Sequence, residues 1–182
     1  MNSPLLTRRD FSLALFGTLA ISTLPNPVLA ALESAPTRSL SFKSLHTLEE
    51  GKICYMRDGA YCPQGLKDIN HLLRDHRTGD IAKMDPALLD LLYALEMTTG
   101  AERRFDVISG YRSPATNAML RGKSNGVAKL SYHMRGMAID ISVPEVNLAQ
   151  LHKNALAMKA GGVGLYASSG FIHVDTGPVR TW

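Results

Sequence analysis

The chain is poor in cysteine and tryptophan, weakly charged, and without a hydrophobic run long enough for a membrane. Two cysteines and one tryptophan in 182 residues leave folding to a hydrophobic core, and 45% hydrophobic residues are enough to build one. The formal charge of +4 is too small to argue for nucleic acid. No patch of interleaved aromatic and basic residues supports such a partner either. Nothing marks a second domain, an internal repeat or a low-complexity tract. The apolar stretch near the start, Phe11 to Leu24, covers about 14 residues. That is too few to span the roughly 30 Å core of a bilayer as a helix.

That stretch reads instead as part of an export signal. Paired arginines in Thr7-Arg8-Arg9-Asp10-Phe11 precede it, Pro25 and Pro27 follow it, and Val28-Leu29-Ala30 offers the small residues that suit signal-peptidase cleavage. Ser12, Thr18, Ser22 and Thr23 interrupt any amphipathic stripe, which argues against a buried helix. The Arg-Arg-x-Phe core points to the twin-arginine route, which carries folded proteins. Residues 1–30 are therefore expected to be a twin-arginine-type signal peptide. Residues 31–182 are expected to be a single periplasmic domain with no lasting membrane insertion. Taking Arg8, Arg9 and Asp10 from totals of 20 basic and 16 acidic residues leaves 18 and 15, a formal +3.

In an oxidising compartment two cysteines matter more. Cys54 and Cys62 flank Arg57-Asp58-Gly59, a hairpin signal. A two-residue turn at Asp58-Gly59 pairs Tyr55 with Cys62, sets the cysteines on opposite faces and forbids a bridge. A three-residue turn places Cys54 opposite Cys62 and permits one. The sequence leaves both open.

Along the chain, Ser39 to His46 alternates in part and suggests an edge strand. Leu66, Ile69, Leu72 and Leu73 have helical spacing between Pro63 and His76. Asp85-Pro86 opens a second helix, with Leu88, Leu89, Leu92 and Leu95 as its buried stripe and Gly100 at its end. Phe105 to Ser109 reads as a strand, Gly110-Tyr111-Arg112 as a turn, and Ser113-Pro114 as the cap of a short helix to Arg121. Gly122 to Leu130 is a polar loop. Ala138 to Val143 alternates as a strand, Asn147 caps a third long helix, and two strands follow, Val163 to Tyr166 and Phe171 to Asp175. Helices come mostly first and a small antiparallel sheet follows, which is an α+β pattern.

The polar residues of those late strands form the candidate site. On Phe171-Ile172-His173-Val174-Asp175, Ile172 and Val174 seek the core, so His173 and Asp175 share the opposite face. Asp140 sits likewise between Ile139 and Ile141. His133 precedes Asp140 by seven residues, about 10.5 Å along a helix. Metal ligands lie about 2.0–2.2 Å from one ion, so a helix cannot bring the two together. A straight strand sends them to opposite faces. A turn is required, and Gly136 supplies it. His133, Asp140 and His173 then make three N/O ligands with a fourth position open to water, which suits one catalytic zinc per chain. His46, His71, His76 and His152 lie on or near apolar stripes and read as surface or packing residues.

Ser131-x-His133-x-x-Gly136-x-Ala138-x-Asp140, with Ser109-Gly110-Tyr111-Arg112 upstream and His173 downstream, resembles the zinc peptidases of the lysostaphin, D-Ala-D-Ala carboxypeptidase and sonic hedgehog superfamily. Within it the likeness is greatest to murein endopeptidases of the MepK (YcbK) type. There it extends over nearly the whole chain, through the twin-arginine leader, "SGYRS", "NGVAKLSYH", "AGGVG" and "HVDTGPVRTW". The resemblance implies a small antiparallel sheet carrying the zinc site and flanked by helices. It implies His133, Asp140 and His173 as zinc ligands, and peptidoglycan stem peptides as substrate, cross-linked between meso-diaminopimelate residues.

Arg112 resembles the family arginine that binds a substrate carboxylate or the oxyanion, and a permanently charged guanidinium suits either task. Ser131, Tyr132 and Tyr166 are weaker candidates for polar support, the first two as substrate-binding residues. The general base departs from the family pattern. Many relatives carry a glutamate, aspartate or histidine two or three residues before the last zinc histidine, where this chain has Gly170 and Phe171. Asp175 is the obvious replacement as catalytic base; its other reading is a carboxylate that orients His173. Two alternatives to the endopeptidase stay open at this level, a carboxypeptidase trimming terminal D-Ala and a wall-binding domain that keeps the metal without turnover.

Overall fold

The computed structural model describes residues 32 and 34–182, apart from Ala101, Glu102 and Asn125. The expected signal peptide, residues 1–30, lies outside the described residues. In chain order the elements are β1 (Arg38–Ser44), β2 (Glu50–Arg57), β3 (Ala60–Tyr61), α1 (Pro63–Leu72), α2 (Pro86–Thr98), β4 (Arg104–Ser109), α3 (Pro114–Lys123), β5 (Ala138–Ser142), α4 (Leu148–Met158), β6 (Gly162–Tyr166), β7 (Phe171–Asp175) and β8 (Arg180–Thr181). Two 3-10 turns, Tyr132–Arg135 and Ala167–Ser169, also lie among the described residues.

The helices begin where their sequences stop them from beginning earlier. Asp85 accepts a bond from the Ala87 N–H at 3.0 Å, Ser113 from Thr116 at 3.2 Å and Asn147 from Ala149 at 2.9 Å. Each such cap is worth about 1 kcal/mol. Pro63, Pro86 and Pro114 occupy first-turn positions, where a missing N–H costs nothing. Helix α1 ends at Leu72, short of the expected His76, and Leu73 turns out of it into the core.

All eight strands join one mixed sheet in the order β3-β2-β1-β4-β5-β7-β6-β8. The α+β class expected from the sequence is what the chain adopts. The strands carrying the polar residues, β5, β7 and β6, pair antiparallel, while β1 with β4 and β6 with β8 pair in parallel. One expectation is corrected here. The first strand is not at an edge: β1 is bonded to β2 on one side and to β4 on the other. Its polar alternates, Ser39, Ser41 and Lys43, gave it the look of an edge. Leu40 and Phe42, both fully buried, hold it inside the sheet, with the Phe42 ring 6.0 Å from that of Phe105 on β4.

The hairpin β2–β3 uses the two-residue turn. Met56 pairs with Tyr61 and Arg57 with Ala60, around Asp58 and Gly59 at φ 52° and 76°. Both residues in the left-handed region match the twist of the strands. Cys54 and Cys62 are both free thiols.

One sheet face carries the aliphatic rows. Ile139 pairs with Val174 and Ile141 with Ile172. Helix α2 packs on β1, and α4 packs on β6, β7 and α2. Leu88, Leu89, Leu92 and Leu95 of α2 and Leu151 of α4 are fully buried. Each such side chain contributes about 1.5–3 kcal/mol of burial free energy. The alternate residues of β5 and β7 therefore face the other way.

Candidate metal centre

A single row across the sheet builds the site. Ser109 on β4 pairs with Asp140 on β5, Asp140 with His173 on β7, and His173 with Gly164 on β6. Fully buried Ile139 and Ile141, one on each side of Asp140, fix its orientation. His173 Nδ1 lies 2.9 Å from Asp140 Oδ1.

His133 arrives from the 3-10 turn before β5. Ser131 caps that turn, its hydroxyl accepting the His133 N–H at 3.4 Å. Gly136 ends it at φ 67°, where a Cβ would run into the Lys83 carbonyl. This is the turn that seven-residue spacing demanded, and only glycine combines that dihedral with that approach. His133 Nε2 then sits 3.3 Å from Asp140 Oδ1 and 3.2 Å from His173 Nδ1.

The partners of the two rings decide what these atoms are. His133 Nδ1 is 2.8 Å from the Gly110 carbonyl, which only accepts, so Nδ1 carries the proton. His173 Nε2 is 2.8 Å from Asp175 Oδ2 and donates to that carboxylate. In neutral rings, Nε2 of His133 and Nδ1 of His173 are therefore bare lone pairs, facing each other and a carboxylate oxygen. Three acceptors without a proton between them repel unless a cation joins them. The three residues offer ligand atoms that all lie within 4.8 Å of one another, and among the described residues no other such group is found. The site fits a divalent metal of the kind that imidazole and carboxylate bind together.

The two carboxylates make this a place that favours a cation, proton or metal. Burial opposes the charge on Asp140, yet His133 and His173 outweigh it and hold the carboxyl well below the usual range. Burial likewise works against a charged His173, and Asp140 and Asp175 overcome it and raise its pKa. Asp175 is fully buried; five donors nonetheless hold its carboxyl well below the usual carboxylate range. They are His173 Nε2 at 2.8 Å, Arg180 at 2.5 and 3.1 Å, and the N–H groups of Gly162 and Gly177 at 3.1 and 2.8 Å. Asp175 thus stands behind His173, on the far side of the ring from Nδ1.

Arg112 stands in front. It enters the turn after β4, its N–H bonded to the His133 carbonyl at 3.2 Å, and its Nη2 lies 3.6 Å from Asp140 Oδ2. Its side chain is 13% exposed. Burial lowers its pKa against the pull of Asp140. The buried Nε has no hydrogen-bond partner in the protein.

The cleft above has a volume of about 490 Å³, and among the described residues Asp140 is the one acidic side chain that lines it. Arg112, Ser131, Tyr132 and Tyr166, the candidates named above, all line it. The sequence reading missed two further residues that line it, Arg180 and Trp182. Trp182 lies where Gly164 has no side chain, its ring 5.1 Å from that of His173, and its indole N–H donates to the Tyr166 hydroxyl at 3.0 Å. The Tyr166 ring stacks on Phe171 at 4.6 Å. Arg180 fills the space between Trp182 and Tyr132. "HVDTGPVRTW" holds both Arg180 and Trp182, but nothing in its spacing says that the chain folds back onto β6.

A sheet flanked by helices, with a His-Asp-His group that could hold a metal in an open cleft, fits the metallopeptidase class. A peptidase M15 family profile described as peptidoglycan L,D-endopeptidase MepK matches residues 32–182. The chain belongs to that family. It is 43% identical over 171 residues to peptidoglycan L,D-endopeptidase MepK of Escherichia coli K12, covering 93% of this chain and 94% of that one. It is 44% identical over 165 residues to the probable peptidoglycan L,D-endopeptidase MepK of Haemophilus influenzae, covering 90% and 89%.

Proposed function

We propose that this protein is a zinc-dependent L,D-endopeptidase that opens peptidoglycan cross-links between meso-diaminopimelate residues, acting in the periplasm after export by the twin-arginine route. The observation that carries this reading is the convergence of His133 Nε2, Asp140 Oδ1 and His173 Nδ1, with the other nitrogen of each ring already committed. Held by these atoms, zinc supplies Lewis acidity, polarising a scissile carbonyl and lowering the pKa of water.

The chain's own residues do the rest. Arg112, which lines the cleft with its Nη2 3.6 Å from Asp140 Oδ2, binds a substrate carboxylate or the oxygen on which negative charge develops. Ser131 shapes the His133 turn by accepting its N–H, which leaves its O–H able to donate to substrate in the cleft it lines. Tyr132 forms a side of the cleft. Asp175 takes the second of its two readings: buried and holding five donors, it orients His173 and keeps the proton on Nε2. It has no free lone pair facing the cleft with which to act as the base.

The test is digestion of purified peptidoglycan by the mature domain, with and without a zinc chelator, with muropeptides resolved by mass. Chelator-sensitive loss of cross-linked dimers, with monomers appearing, is the expected result, and the fragment masses identify the bond. Loss of terminal alanine alone makes it a carboxypeptidase. Zinc uptake without any muropeptide change makes it a wall-binding domain.

A further inference from the structure

We infer that Arg180 is a positioning residue of the metal centre, acting through Asp175 on His173. The inference rests on the metal reading above and concerns a residue that reaches the ligand His173 through Asp175.

Asp175 has two oxygens and two duties. Oδ2 accepts from His173 Nε2 at 2.8 Å and from Arg180 Nη2 at 2.5 Å. Oδ1 accepts from Arg180 Nη1 and from the N–H groups of Gly162 and Gly177. The guanidinium therefore grips both oxygens in a fork, which fixes the plane of the carboxylate as well as its position. Because Oδ2 is the oxygen that accepts from His173 Nε2, fixing the carboxylate also fixes the anchor of that ring.

The surroundings are built for this pair. A Cβ at position 162 would fall 2.6 Å from Asp175 Oδ2 and against Arg180 Nη1, so Gly162 makes the room in which the two meet. The guanidinium carbon lies 4.9 Å from the centre of the Tyr132 ring and 5.0 Å from that of Trp182, held on two sides. Arg180 Nη1 also donates to the Pro178 carbonyl at 3.0 Å. A surface arginine paired by chance has none of these restraints. Strand β8 has only two residues, and one of them, Arg180, serves this contact.

The sign of the effect requires care in choosing the variant. Removing the positive charge of Arg180 would itself favour a cation nearby, which opposes the loss of alignment. Arg180→Lys keeps the charge and abandons the fork, because an ammonium is a point charge without a planar pair of donors. The change therefore isolates positioning from field.

The experiment measures the affinity of the folded, metal-free protein for Zn²⁺ alone, by competition with a chromogenic chelator, in wild type and R180K. Melting of the metal-free forms is followed alongside, and the titration is run well below it. Loss of a partner in the outer shell of a metal ligand costs about 10–100-fold in affinity. A fall of about tenfold is expected for R180K, one bond further out. Trp182→Leu, which keeps the guanidinium and removes one of its two ring walls, should give a smaller fall in the same direction and carries the test if R180K does not fold. Unchanged zinc affinity overturns the inference, whether the variant shows a raised KM for peptidoglycan (a substrate contact) or only a lower melting temperature (a clamp on the chain end). A wild-type protein that takes up no zinc overturns the metal reading itself, and the control shows which of the two has failed.

Discussion

Asp175→Asn separates orientation from proton transfer. The amide can still present its oxygen to His173 Nε2, but its NH₂ must then face Gly162 N–H, Gly177 N–H and Arg180 Nη1, all donors. Removing one partner of a buried ion pair costs about 3–5 kcal/mol. Arg180 is 38% exposed and can regain water, so we expect about 2–3 kcal/mol of lost stability. For the metal, a weakened outer carboxylate is worth about 10–100-fold in affinity. That range is about 1.4–2.7 kcal/mol. The assay has two parts: zinc affinity by chelator competition, then turnover of cross-linked muropeptide with zinc raised until the variant is saturated. Orientation predicts weaker zinc binding and recovery of most of the activity at saturation. A general base predicts the reverse, unchanged zinc affinity and a fall in kcat of about 10²–10⁴ that no zinc concentration restores. That second result would refute the assignment of Asp175 as a positioning residue.

Arg112→Lys leaves a point charge where a fork of donors stood; kcat/KM should fall about 10–100-fold while zinc affinity stays unchanged, and equal kcat/KM would remove Arg112 from the site. Gly164→Ala places a Cβ 2.5 Å from Trp182 Cε2 and must displace the indole. Trp182 is the only tryptophan, so its emission should shift to the red and report the opened wall directly; an unchanged spectrum refutes the packing. His76, stacked on His46 with ring centres 3.8 Å apart, has its pKa lowered to about 4 by burial, by His46 and by Arg77. Its unfolded form binds the proton first, so stability is full above about pH 6.5 and falls as the pH drops from there toward 4. With solvent screening the loss is about 1–2 kcal/mol. Denaturant midpoints at pH 7 and 4.5 should therefore converge in His76→Gln, and a variant with the same pH slope as wild type refutes this.

Local chemistry was readable because it needs only neighbours. Asp85, Ser113 and Asn147 cap the helices that follow them, because a cap is a bond between residues two or three apart. The parity of Ile139-Asp140-Ile141 and Ile172-His173-Val174 put Asp140 and His173 on the face away from the core, because a strand allows no other outcome once the aliphatics are buried. The requirement for a turn between His133 and Asp140 followed from reach alone, and Gly136 meets it.

Other features depend on residues far apart in the chain. Ser39, Ser41 and Lys43 look alike at an edge or in the interior, and only pairing with β4, some 60 positions later, decides that β1 is central. The hairpin at Asp58-Gly59 suited two turn lengths, and the observed register selected one. Asp175 read equally well as base or orienter in one dimension. Its five donors come from β6, from the segment after β7 and from β8 as well as from His173, and they assemble only when the chain end folds back beside β6. The sequence by itself pointed to the three side chains that converge, His133, Asp140 and His173, since strand parity and the reach of a turn are local. The tertiary structure alone decided which nitrogen of each ring is free and what stands behind it, because those are set by contacts with no fixed separation along the chain.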